Sequence, residues 1–185
     1  PEWQDSYARR SRVEGFFGML KNPAVAGVSR LTARFFEFGK IALATLLRVA
    51  RTHIRFGHFE WFHYQGETER VRELADFCIA LYFPHWCREP DRYRLLLGEI
   101  CRRTARLIAA WQAYGFAHGV LNTDNMSILG ETFDYGPCAF IDAYDPDALY
   151  SSIDTGGRYK YSRQPLMLLW DLARFAEALL PLIHP

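Results

Sequence analysis

Asp124, Asn125 and Asp134 are the residues whose types and spacing best suit a chemical reaction. Transfer of a phosphoryl or nucleotidyl group needs a divalent metal that neutralises phosphate charge, and carboxylate or amide oxygens hold that metal. The intervening residues, MSILGETF, suit a short hairpin that would bring both ends to one ion. Asp and Asn are also common turn residues, so the alternative is an ordinary polar loop. The combined pattern favours a metal site at Asn125 and Asp134, with the Asp124 carboxylate beside it.

The spacing around these residues is that of two protein-kinase motifs. The segment from His118 to Asn125 has the length of the kinase motif HRDxxxxN, and Asp-Tyr-Gly at 134–136 stands where kinases have Asp-Phe-Gly. The catalytic Asp of the kinase motif is replaced by Val120, which cannot accept a proton from a hydroxyl group. Asp124 is an additional carboxylate next to the predicted metal ligand. We therefore expect no ordinary kinase base, and we interpret His118 as a structural residue rather than a base.

A long stretch, from about Leu46 to Leu179, resembles the selenoprotein O (YdiU-type) pseudokinases. The resemblance is carried by HGVLNTDNMSILG followed by DYGP, then by FIDAYDPD, GGRYKY and QPLMLLWDLARFAEAL, and upstream by LLRVARTHIRFGHFEWF and ELADFCIALYFP. It implies a protein-kinase-like fold that binds ATP in a reversed orientation. It also implies transfer of AMP, rather than phosphate, to Ser, Thr or Tyr hydroxyls of proteins.

The same resemblance implies a role for each candidate site residue. Asp124 matches the family's proton acceptor, and Asn125 and Asp134 match its metal ligands. Arg48 and Arg55 match two nucleotide-binding arginines. The implied cofactors are ATP and Mg²⁺ or Mn²⁺, and the implied partners are protein substrates.

The two arginines also suit phosphate on chemical grounds, because a guanidinium group presents several donors in a planar fork. Arg48 and Arg55 are separated by an odd number of residues, which in an extended strand would point them to opposite faces. They converge only if the intervening segment bends. The alternative is that both are solvated surface arginines.

Residues 1–44 differ from the remainder and predict a separate helical segment. Tyr7, Arg10, Glu14 and Lys21 resemble the YREK signature of DDE insertion-sequence transposases, although the other two carboxylates of such a site are missing. The lysine and the glycine-rich segment of the family's small lobe are not recognisable before Arg48. We therefore expect an incomplete core in a chain that is a fragment of a longer protein. Two alternatives to an enzyme remain: a non-catalytic gene-fusion remnant and a DNA-binding transposase derivative.

The predicted fold class is α+β: a protein-kinase-like fold, mostly its larger carboxy-terminal lobe and incomplete, preceded by the helical segment. The predicted domains are residues 1–44, a transposase-like remnant, and residues 45–185, a partial pseudokinase core. Aromatic and β-branched residues at 45–64 predict short strands, as do residues 126–129 and 139–142. Apolar spacing of three and four predicts helices at 67–82, 91–114 and 164–183.

The composition indicates which partners and which cellular environment suit the chain. Of 185 residues, 50% are hydrophobic, which is enough for a packed core. The net charge of +1 does not indicate nucleic acid or an anionic membrane as a partner. The four cysteines form no CxxC pair and predict reduced thiols in a bacterial cytoplasmic protein. No apolar run reaches the ~18 residues that a membrane helix needs.

Overall fold

The computed structural model describes residues 54–184, so Arg48 and the predicted segment 1–44 lie outside the described residues. Within this range the structure is rich in helices and has one small sheet, which confirms the α+β class. Its helices are α1 (Phe56–Tyr64), α2 (Thr68–Tyr82), α3 (Arg92–Tyr114) and α4 (Gln164–Ile183). Its strands are β1 (Phe116–Ala117) and β2 (Ala139–Phe140), and short 3₁₀ turns span Pro84–Trp86, Thr123–Asn125 and Tyr161–Arg163.

Three of the helices confirm the predictions made from apolar spacing. Helix α2 buries a stripe on one face and ends just before Pro84, whose ring disfavours a helical residue in front of it. Helix α3 ends at Gly115, which adopts a left-handed conformation with φ 69° that glycine takes without steric cost. Helix α4 begins with Pro165 in its first turn, where a proline needs no hydrogen-bond partner.

Helix α1 contradicts the prediction of strands at 45–64 for the part of that range that the structure describes. Phe56 and Phe59 are three residues apart, so in a helix both face the same side, and both are fully buried. Their rings pack against Phe175 of α4, with centroid distances of 4.8 and 5.0 Å. Aromatic residues favour strands only because they pack well on a half-buried sheet, and here the same surface is buried on a helix.

The predicted strands around the site are shorter than expected. Residues 126–129 form no strand, and Ser127 makes only one isolated antiparallel bridge, with Arg55. Backbone hydrogen bonds from Phe56 N to Met126 O (3.0 Å) and from Ile128 N to Ile54 O (3.1 Å) hold this segment to the start of α1. Of 139–142, only β2 is regular.

The short sheet closes the hairpin that carries the candidate site. Strands β1 and β2 are antiparallel, with Phe116 opposite Phe140 and Ala117 opposite Ala139. The core beneath it joins α1, α3 and α4 through buried aromatic and aliphatic side chains, including Trp111, Phe116 and Phe175. None of the helices among residues 54–184 combines the length and hydrophobicity that crossing a bilayer requires.

Candidate active site

The 3₁₀ turn Thr123–Asn125 is held from both of its ends. Asn122 precedes the turn, and its side-chain oxygen accepts from Asn125 N at 3.1 Å, as an N-cap residue does. The Asn125 amide nitrogen, Nδ2, donates to Val120 O at 2.9 Å. This hydrogen bond defines which end of the amide is the nitrogen. The other end, Oδ1, is therefore the acceptor atom, the one that a metal ion would use.

Asp124 is exposed and lies against the first turn of α1. A Cβ atom added to Gly57 would overlap Asp124 Oδ1 and would lie 3.1 Å from Asp124 Cγ and 3.4 Å from its Cα. One residue earlier in the turn, Thr123 Oγ1 donates to Glu60 Oε2 at 2.5 Å. Helix α1 therefore supports the turn at two points, through a close approach at Gly57 and a hydrogen bond at Glu60.

Asp134 has an unusual backbone conformation. Its φ of 56° is positive, and it is the one non-glycine residue of the described range with this property. Asp and Asn tolerate this left-handed region better than other side chains, and such conformations are concentrated at functional sites. The Asp134 side chain is 49% exposed, so its carboxylate can reach a ligand from solvent.

The structure brings the side chains of Arg55 and Asp134 together. Arg55 precedes α1 as its N-cap residue, and its Nη1 lies 3.7 Å from Asp134 Oδ2. The Arg55 guanidinium also lies over the Phe133 ring, 5.1 Å from its centroid. An ion pair this exposed contributes little to stability, so a phosphate and a metal ion can replace it at low cost. The second predicted arginine, Arg48, lies outside the described residues.

His118 supports the site from its buried side, which confirms the interpretation of His118 as a structural residue. It is 1% exposed, and burial lowers the pKa of its imidazole. Its Nε2 donates to Phe133 O at 2.9 Å, immediately before Asp134. Its ring stacks on Trp111 of α3, with centroids 5.4 Å apart. A buried neutral imidazole with its proton committed to a carbonyl cannot act as the base of a solvent-facing site.

The predicted metal ligands have oxygen donors of the kind that a hard divalent cation shared with phosphate would use. Within residues 54–184, no three His, Cys, Asp or Glu side chains come together to hold a metal ion. Asn125 and Asp134 offer an amide oxygen and a carboxylate, which is a small donor set. Mg²⁺ characteristically uses one or two carboxylates together with substrate phosphates and water, rather than a cage made by the protein alone.

Three residues around this site were missed by the sequence analysis: Gly57, Glu60 and Asp171. Asp171 of α4 is fully buried, and neither carboxylate oxygen has a hydrogen-bond partner among the residues that the structure describes. Desolvation raises the pKa of Asp171 to about 7. Arg158 opposes that shift, and the negative charge of Glu60 adds to it. The signal was present, because Asp171 interrupts the apolar stripe that includes Leu168 and Phe175.

The profile of the family described as protein adenylyltransferase SelO matches residues 32–185. The chain is 55% identical to protein nucleotidyltransferase YdiU of Erwinia tasmaniensis over 142 residues, which are 77% of this chain and 30% of that protein. It is 54% identical to the proteins of the same name from Salmonella enteritidis, over 76% of this chain and 29% of that protein, and Hahella chejuensis, over 76% and 28%.

These comparisons confirm the family resemblance and extend it towards the amino terminus. The match begins at residue 32, inside the range that the sequence analysis assigned to the amino-terminal segment. The resemblance of residues 1–44 to a transposase segment receives no support from them. The chain spans less than a third of the length of these relatives.

Proposed function

The chain belongs to the family of protein adenylyltransferase SelO, and from this premise we propose that it carries part of a site that transfers AMP from ATP to protein hydroxyl groups. One observation supports this reaction above phosphoryl transfer. The residue at the position of a kinase base is Val120, whereas Asp124 is exposed within the turn that also holds Asn125. The only carboxylate of that turn is therefore displaced from the kinase position.

The proposed step is a substitution at the α-phosphorus of ATP. The hydroxyl oxygen of a Ser, Thr or Tyr side chain forms a bond to the α-phosphorus, and the bond from that phosphorus to the bridging oxygen of the β-phosphate breaks. Pyrophosphate leaves, and AMP remains on the acceptor. Asp124 accepts the hydroxyl proton, a role that exposure to solvent and to a protein substrate allows.

The remaining site residues bind the phosphates. Asn125 and Asp134 supply oxygens to a divalent cation, Mg²⁺ or Mn²⁺, which neutralises phosphate charge when bound. Arg55 is already paired with Asp134 at 3.7 Å and can turn its guanidinium to a phosphate oxygen. Arg48 is the second arginine of the proposal. We further propose that the described helices are part of a protein-kinase-like fold, because two helices (α2 and α3), the hairpin that contains the turn, and α4 follow one another in the order of its larger lobe.

The experiment determines which phosphate of ATP is transferred to an acceptor protein. Casein is incubated with the chain, Mg²⁺ and ATP labelled at either the α- or the γ-phosphate. We expect the protein to retain the α-label and not the γ-label. The Asp124→Asn variant should lose about 10²- to 10⁴-fold in rate, which is the usual contribution of a positioned base, and should keep its affinity for nucleotide.

The matched control is Glu73→Gln, which neutralises an exposed carboxylate on α2 and should transfer label at the rate of the unsubstituted chain. Retention of γ-label alone would show phosphoryl transfer and overturn the proposal. Absence of both labels from casein and from the chain itself would favour the non-catalytic alternative.

A further inference from the structure

Gly57 lies where helix α1 comes close to the side chain of Asp124 in the turn. It is the second residue of the helix. Its backbone does not need glycine, because Gly57 is not among the glycines of the described range with positive φ. Glycine is also a poor helix former, second only to proline. Neither the backbone conformation nor helix formation therefore explains a glycine at this position.

The space around Gly57 does explain it. A Cβ atom there would overlap Asp124 Oδ1 and would press on Asp124 Cγ at 3.1 Å. Another helical glycine, Gly98 of α3, has no atom within 4 Å of the position of an added Cβ. The requirement at Gly57 is thus specific to the carboxylate of Asp124.

We propose that Gly57 is a positioning residue, which lets the Asp124 carboxylate lie directly against the first turn of α1. The proposal rests on the role of Asp124 as the proton acceptor. Glu60 also supports the position of Asp124, because its carboxylate accepts a hydrogen bond from the Thr123 hydroxyl and so holds the backbone just before Asp124.

Two consequences follow for Gly57→Ala. The added methyl group turns the carboxylate away from the helix, since the Asp124 side chain is exposed and free to rotate outwards. Proton transfer depends on hydrogen-bond reach and weakens steeply when the base is displaced by about 1 Å. Arg55, Asn125 and Asp134 keep their positions, so nucleotide affinity is retained.

The first test is a thermal unfolding cycle, which needs no catalysis. The unsubstituted chain, Gly57→Ala, Asp124→Ala and the double variant are melted side by side, with Gly98→Ala as control. Gly98→Ala should raise the melting temperature, since alanine favours a helix and meets nothing there. Gly57→Ala also changes the melting temperature. That change should be more favourable, by at least about 2 °C, when Asp124 is already alanine than when Asp124 is present.

The second test measures AMP transfer to casein by the same proteins. Gly57→Ala should lower kcat by about 10-fold or more and leave KM for ATP unchanged, whereas Gly98→Ala should match the unsubstituted chain. In the Asp124→Ala background, Gly57→Ala should have no further effect on residual transfer. Equal melting shifts in both backgrounds would overturn the proposal. A clear melting coupling with full activity in Asp124→Ala would instead overturn the catalytic role of Asp124 and leave the contact intact.

Discussion

The carboxylates of the candidate site and the carboxylate of Asp171 occupy opposite environments. Asp134 is 49% exposed and lies 3.7 Å from Arg55. Asp171 is fully buried in α4 and has no hydrogen-bond partner among residues 54–184, and its pKa is raised to about 7. Water and a cation keep a carboxylate charged, whereas desolvation favours its protonated form. The exposed acids can therefore present charge to a ligand, and Asp171 makes stability depend on pH.

Glu60 connects the two environments. Its carboxylate accepts the Thr123 hydroxyl of the turn, and its negative charge contributes to the raised pKa of Asp171. The residue that supports the turn Thr123–Asn125 therefore also interacts electrostatically with Asp171. A change at Asp134 should affect ligand binding, and a change at Asp171 should affect stability.

The largest expected effect is on nucleotide binding and comes from Asp134, an exposed carboxylate. Asp134→Ala should abolish metal-dependent nucleotide binding, because the remaining ligand, Asn125, is neutral and holds a metal ion weakly. Calorimetric titration with MgATP measures it. Cys101→Ala is the control and should bind as the unsubstituted chain does, because this half-buried thiol of α3 lies outside the proposed site.

A second variant separates charge from backbone strain at Asp134. Alanine tolerates φ 56° poorly, whereas asparagine tolerates this region about as well as aspartate. If Asp134→Asn also loses binding while unfolding at the same temperature as the unsubstituted chain, the lost charge is responsible. MgATP affinity that is unchanged in both variants would remove Asp134 from the site.

Sequence alone singles out Asp124, Asn125 and Asp134 through the spacing of a short polar motif, and their roles stay predictions. It could also predict α2, α3 and α4, whose apolar residues recur every three or four positions and whose ends are marked by Pro84 and Gly115. The prediction of strands was wrong over helix α1 because it was based on the content of aromatic and β-branched residues and not on their spacing. Phe56 and Phe59 are three residues apart, which suits one face of a helix, and that face is buried against the ring of Phe175 of α4. The space required at Gly57 depends on a contact between distant parts of the chain, so no local pattern signals it.

Asp171, the buried carboxylate, should make the free energy of unfolding depend on pH. The pKa of Asp171 is about 7 in the folded chain, above the ordinary value of 3.8, so between these pH values the folded chain keeps a proton that the unfolded chain loses. Stability from this group is complete below about pH 4 and is lost as pH rises to about 7. The total change is roughly 4 kcal/mol. Asp171→Asn does not titrate and should escape this loss.

Urea unfolding at pH 4.5 and pH 8 measures the prediction. The difference in unfolding free energy between Asp171→Asn and the unsubstituted chain should become more favourable to the variant at pH 8. Other groups, such as Glu99, whose pKa is lowered to about 2 by Arg102 and Arg103, titrate equally in both proteins and cancel. A difference that is the same at both pH values would show that Asp171 is charged throughout.

The smallest expected effect concerns a buried polar pair that is satisfied, in contrast to Asp171. Trp111 Nε1 donates to Thr132 Oγ1 at 2.9 Å, and both residues are almost fully buried. The pair ties α3 to the segment that leads to Asp134. Replacing Thr132 with the isosteric valine leaves the indole N–H without its acceptor, which costs about 1–3 kcal/mol of unfolding free energy.

The same substitution tests whether that cost belongs to the hydrogen bond. Trp111→Phe removes the donor and leaves the buried Thr132 hydroxyl unpaired, so adding Thr132→Val to it should cause no further loss of stability and should recover part of the loss. Urea unfolding of the four proteins gives the coupling. If Thr132→Val costs the same with and without the indole, its effect comes from packing. A coupling of about 1 kcal/mol or more would instead show that buried polar groups near the site are stabilising when paired, so that the unpaired Asp171 is the exception whose cost varies with pH.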